Sequence, residues 1–210
     1  MEILKGVFLV RGEVSNVYLV KVSGGYVSVD AGTPGDYERI TAYLRSAGIE
    51  ASDIKVIVLT HSHWDHAGGL KKLRELTGAK IAAHREEVPY LRGEVGTSRR
   101  RFEPVDVDIM LDDGDEVYGL RVIHTPGHTP GSICLLNTSQ RSIFVGDLVY
   151  EEQGRLREMH HHYSKDPHMN RASIAKLVNY DFDHVMPSHG NPIIGRGREA
   201  LRQLISELGM

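Results

Sequence analysis

Cysteine is nearly absent from this 210-residue chain: Cys134 stands alone, so no internal disulfide can form and a packed core must hold the fold. Long apolar runs are missing too. No stretch reaches the ~18 apolar residues that read as a membrane helix. The start, MEILKGVFLVRGEVSNVYLV, has no basic segment leading into an apolar one. A cytoplasmic location is the resulting expectation. Nor is there an excess of positive charge: 25 Lys and Arg against 28 Asp and Glu leave a net charge of -3, with no global basic field to attract nucleic acid or an anionic membrane. What is abundant is histidine, with 12 residues. At 40% hydrophobic and 25% charged the composition is globular. A chain of this size buries roughly 70% of its surface, so one domain over residues 1–210 is expected.

Apolar alternation at 3–10, 17–22 and 26–29 predicts antiparallel strands, the last two joined through Ser23-Gly24-Gly25. A helix is expected over 34–48, with Tyr37, Ile40, Tyr43, Leu44 and Ala47 at helical spacing and Gly48 as its stop. KVIVLT at 55–60, β-branched and almost wholly apolar, predicts a strand buried on both faces. Helical segments at 69–76 and around 85–91 flank a strand at 80–83. Residues 93–106 show no period and read as a loop, in which Arg99-Arg100-Arg101 is a solvated face or a binding patch. The second half predicts strands at 109–111, 116–123, 132–137, 142–145 and 184–186, and helices at 170–179 and 198–208. Two halves with the same order of strands and helices predict an α/β fold of four layers, αββα, with two mixed β-sheets sandwiched between helices.

The densest chemistry directly follows KVIVLT: His61-Ser62-His63-Trp64-Asp65-His66, then Ala67-Gly68-Gly69. Three imidazoles and a carboxylate in six residues are metal-ligand chemistry. Where a chain leaves a strand, positions 61 and 63 point the same way and offer two imidazoles to one cation. Asp65 and His66, after a turn, reach a second. Nitrogen donors with a carboxylate favour Zn²⁺, with Fe, Mn, Co and Ni as competitors. Gly68 and Gly69 permit close backbone approach. Trp64 reads as packing or a pocket wall. Downstream, His128 lies in a loop punctuated by Pro and Gly, and Asp147 ends the apolar IFVGD run, where its two oxygens can bridge two cations. His189 follows another strand end. His84 and His124 look equally loop-placed and receive no ligand role.

The stretches T-H-S-H-W-D-H at 60–66, T-P-G-H-T-P-G-S at 125–132, G-D at 146–147 and P-S-H-G at 187–190, in that order, resemble the metallo-β-lactamase-fold hydrolases. Asp30 in V-D-A-G matches that superfamily's early structural Asp. The resemblance spans essentially the whole chain. It implies that His61, His63 and His128 hold a first metal, that Asp65, His66 and His189 hold a second, and that Asp147 bridges them. Asp30 would orient the hexad loop. It implies two divalent ions as cofactors, Zn²⁺ first with Fe or Mn as alternatives, and a bridging hydroxide that hydrolyses a lactone, thioester or phosphoester. Asp65 is then the proton shuttle to the leaving group. Tyr150 follows Asp147 at the spacing where lactonases of this superfamily carry a Tyr that hydrogen-bonds the substrate carbonyl; packing at a strand end is its other reading.

Glyoxalase II-like thioesterases and persulfide dioxygenases with a single iron share the pattern, and both stay as alternatives. They usually carry a Gly-Cys-Gly-Arg stretch where this chain has Glu151-Glu152-Gln153-Gly154-Arg155. His160-His161-His162, with Tyr163 and His168 behind, is a solvated loop or a contact for a polar or anionic substrate group. The expected partner is a small-molecule substrate, with no nucleic acid and no membrane, and a homodimer stays open.

Overall fold

The computed structural model describes residues 1–96 and 102–210, so the Arg99-Arg100-Arg101 run lies outside the described residues. Two compact units divide the chain, Met1–Leu111 and Asp112–Met210.

The first unit carries β1 (Glu2–Leu4), β2 (Val7–Arg11), β3 (Asn16–Val22), β4 (Gly25–Val29), α1 (Asp36–Ala47), β5 (Ile54–Val58), α2 (Trp64–Ala67), α3 (Leu70–Thr77), β6 (Lys80–His84), α4 (Val88–Leu91) and β7 (Ile109–Leu111). Its strands pair in chain order, antiparallel from β1 to β4 and parallel from β4 to β7. The single strand expected over 3–10 is two, because the chain turns at Gly6, which holds a φ of 76° that glycine adopts without penalty. β5 lies between parallel neighbours with four of its five residues buried, as its apolar run implies. α1 starts with Asp36 and Glu38 in its first turn and stops at Gly48, whose N–H returns to the Arg45 and Leu44 carbonyls. Ile40 and Leu44 of α1 and Leu70 and Leu73 of α3 share one core with Ile54, Ile57 and Leu59. That core fixes the end of β5, where the hexad begins.

The second unit carries β8 (Glu116–Val117), β9 (Leu120–His124), β10 (Ile133–Asn137), β11 (Ser142–Gly146), β12 (Val149–Glu152), β13 (Arg155–Glu158), α5 (Pro167–Lys176), β14 (His184–Pro187) and α6 (Gly197–Glu207). One sheet has the order β14-β11-β10-β9-β8, and β12 with β13 forms a separate hairpin. Only β11 and β14 run parallel in that larger sheet. The strand expected over 116–123 is broken into β8 and β9 by Tyr118 and Gly119, with φ of 49° and 81°. α5 begins three residues before the expected 170, because Asp166 caps it, accepting the Met169 N–H at 2.9 Å, and Pro167 suits the first turn. Cys134 is buried on β10 among Ile123, Ile143, Val145 and Phe182. Burial pushes its thiol up to about 12, so it is a core residue and no nucleophile at neutral pH. Among the described residues no helix is long and apolar enough to cross a membrane.

Candidate metal centre

In the first unit the hexad leaves the C-terminal end of β5 in extended form, and His63 immediately precedes α2, which carries Asp65 and His66. His61 and His66 are buried; His63 and Asp65 are half-buried. The His61 ring lies 4.7 Å from that of His63 and 4.0 Å from that of His66. A ligand nitrogen of His61 and one of His63 come within 4.8 Å of each other, and His66 Nε2 lies 3.5 Å from Asp65 Oδ2. Imidazole nitrogens gathered with a carboxylate in this way are the donor set that a divalent metal takes.

Asp30 sets the orientation of this group from below. Fully buried and held at a φ of 64°, it accepts the Thr60 N–H at 2.8 Å through Oδ1 and pairs with His66 Nδ1 at 2.8 Å through Oδ2. The Thr60 hydroxyl also reaches this carboxylate and stands 3.2 Å from His61 Nδ1. An imidazole that donates from Nδ1 to a carboxylate presents its lone pair at Nε2, the form a metal takes. The two glycines act as expected: a Cβ at Gly68 would fall 2.4 Å from the Trp64 carbonyl oxygen, and one at Gly69 2.4 Å from that of Ala31. Trp64 is half-buried at the start of α2.

Glu87 belongs to this site, and nothing in its local sequence marks it. Its buried carboxylate accepts both the backbone N–H of Ser62, at 2.8 Å, and the Ser62 hydroxyl, and so clamps the residue between His61 and His63. Glu87→Ala leaves a buried N–H unsatisfied and frees the His-x-His stretch. We expect metal affinity to fall about 10-fold to 100-fold, the cost typical of losing a group that orients a ligand, while Glu87→Gln, whose amide oxygen can still accept both Ser62 bonds, falls less. Metal-competition titration of the two variants measures the difference.

The second unit assembles its own donors. His128 sits in the β9–β10 loop, closed by the Thr125 N–H on the Ser132 carbonyl at 2.8 Å; Asp147 follows β11, and His189 follows β14. Asp147 lies between the two imidazoles, Oδ2 at 3.3 Å from His128 Nε2 and Oδ1 at 3.1 Å from His189 Nε2. His128 and Asp147 are buried, and His189 is partly exposed. The His189 turn rests on β12: the Glu151 N–H donates to the His189 carbonyl at 3.0 Å, and Glu151 Oε2 accepts the Asn191 N–H at 2.6 Å. Gly190 must be glycine there, since a Cβ would fall 2.2 Å from the Glu151 carbonyl oxygen. Glu151 is a second residue that motif reading does not find. His84 Nδ1 accepts the Glu86 N–H at 3.3 Å, and His124 Nε2 lies 2.8 Å from the Pro130 carbonyl oxygen.

Tyr150 is half-buried on β12. Burial raises its phenol above the ordinary value and the Glu152 charge adds to this, so the hydroxyl stays protonated and able to donate at neutral pH.

Comparison with known proteins agrees with this chemistry. The chain is 27% identical over 244 residues to the probable metallo-hydrolase YflN of Bacillus subtilis (strain 168), with 99% of this chain and 92% of that protein covered. It is 28% identical over 183 residues to a hydroxyacylglutathione hydrolase of Ectopseudomonas mendocina (strain ymp), covering 80% of this chain but only 65% of that protein. The solved structure of TTHA1623 in a di-iron-bound form superposes with a TM-score of 0.74 at 26% identity, covering 91% of this chain and 95% of that one. The family model of the metallo-β-lactamase superfamily matches residues 10–189, and the chain belongs to that superfamily, with its α/β fold.

Proposed function

We propose that this chain is a binuclear metal-dependent hydrolase acting on an ester-type bond of a small molecule, with residues 1–210 as one catalytic domain. The observation that carries the reading is Asp147, a buried carboxylate that turns one oxygen to His128 and the other to His189, so that it could serve a cation on each side. His61, His63 and His128 would hold one cation, and Asp65, His66 and His189 the other, with Zn²⁺ the first choice and Fe an alternative supported by the di-iron form of TTHA1623. When bound, two such cations lower the pKa of coordinated water toward neutrality and polarise the oxygen of the bond to be cut. The protein's own residues do the rest. Asp30 and Glu87 hold the ligands in place, Tyr150 donates its hydroxyl to the substrate carbonyl, and Asp65, half-buried at the start of α2, passes a proton to the leaving group. The relative named as a hydroxyacylglutathione hydrolase supports thioesters as the first class to test, with lactones and phosphoesters next.

The test is turnover of a panel of thioesters, lactones and phosphodiesters by protein of measured metal content. Turnover of one class with two metals per chain is expected; turnover of none by protein holding two metals overturns the reading. Within the active class, Tyr150→Phe should lower kcat/KM about tenfold, as the loss of one hydrogen bond to a developing charge does, and unchanged kcat/KM removes the carbonyl contact.

A further inference from the structure

Between β13 and α5 the chain stacks rings. Tyr150 lies 5.3 Å from His160 with 30° between planes, His160 lies 5.6 Å from His162 at 24°, and Tyr163 closes on His162 at 3.9 Å. Rings that are nearly parallel at such distances are offset, so part of each face stays uncovered. His160, His162 and Tyr163 are all exposed.

The column is held at both ends to the segments that carry candidate metal ligands. At one end its ring contact is with Tyr150, three residues beyond Asp147. At the other, the Lys165 N–H donates to the His128 carbonyl at 3.1 Å and the Asp166 N–H to that of Gly127 at 2.9 Å. A Cβ at Gly127 would fall 2.2 Å from the Asn170 nitrogen, so the start of α5 packs on the same turn. Fixed charges beside the column are matched among themselves: Glu158 takes Arg171 Nε at 3.0 Å and faces His161 Nε2 at 3.3 Å, and Arg157 pairs with Glu207 at 3.0 Å. The exposed rings of His160, His162 and Tyr163 offer their uncovered faces to a ligand.

We propose that this column is the specificity wall of the second unit's ligand cluster and takes a flat, unsaturated ring of the substrate, an aryl or arylacetyl group laid against His160 and His162. The proposal rests on the hydrolase reading for the bond that is cut, though not for the ring that is held. A saturated ring of similar size packs on the column by dispersion alone and has no π face for offset stacking, so it should be held less tightly. An aromatic pair contributes a preference of roughly threefold to tenfold.

Two measurements on the full chain test it. In binding, NMR titration with phenylacetamide and cyclohexylacetamide should show the phenyl compound bound several-fold more tightly by the wild type. His160→Ala/His162→Ala should bring the two toward equality, and His162→Phe should keep the difference. In turnover, the ratio of kcat/KM for phenylacetyl against cyclohexylacetyl thioesters of one thiol should follow the same order. A wild type without ring preference, or a double variant that keeps it or loses both ligands equally, overturns the proposal. Ring-selective binding that disappears in the double variant, together with no hydrolysis by metal-loaded wild type, upholds the column and sinks the hydrolase reading instead.

Discussion

Asp147→Ala should lose at least roughly a thousandfold in turnover and at least one metal ion per chain, the scale expected when a metal's own catalytic contribution is withdrawn. The side chain is buried, and its two oxygens face different imidazoles at 3.3 and 3.1 Å. Removing it deletes an anion placed to serve both His128 and His189. Asp147→Asn separates charge from shape: the amide oxygen can still face one imidazole, but the amide nitrogen offers no lone pair to a metal on the other side. The expected order is therefore Asp well above Asn, and Asn at or slightly above Ala. Stability should not follow that order, because a carboxylate buried without a metal costs desolvation that either substitution removes. Activity measured beside metal content and thermal unfolding thus distinguishes a lost ligand from a lost fold. Wild-type rates with unchanged metal content in Asp147→Ala would refute the bridging role.

Asp30→Ala should be the most damaging change outside the ligands themselves, with metal affinity down about 10-fold to 100-fold and stability down by about 2–4 kcal/mol. Thr60 N–H and His66 Nδ1 both depend on this carboxylate at 2.8 Å, and both are buried. An unsatisfied buried donor costs about 1–3 kcal/mol. Backbone preference acts separately, because Asp30 holds a φ of 64° that Asn tolerates and Gly accepts freely. If Asp30 were only a turn residue, Asn and Gly would both be near neutral. If it orients His66, Gly should recover backbone strain yet still lose metal affinity, and Asn should fall between Gly and Asp. Calorimetric metal titration of the three variants distinguishes the two roles.

The parts of this molecule legible in its sequence are those where one local pattern meets one physical demand. KVIVLT has to be a strand between two others, and the histidines after it have to crowd, because chain direction and residue spacing alone bring them together. The β12–β13 hairpin was not legible: VYEE and RLRE carry few apolar residues, and the turn between them is Gln153-Gly154, at φ of 52° and 78°, where Asn or Asp is the usual first residue. Tyr118 hides the β8–β9 turn in the same way. Glu87 and Glu151 escape for another reason. Each acts through a backbone contact to a residue 25 and 40 positions away, Ser62 and Asn191, and only the folded chain makes those neighbours.

If Asp147 serves two cations, as proposed, both are required for turnover. Stepwise addition of Zn²⁺ to metal-free protein, with hydrolysis followed at each step on the most active substrate of the panel, addresses it directly. Activity should keep rising to two equivalents per chain and then level off. Full activity at one equivalent, with no gain from the second, would contradict it.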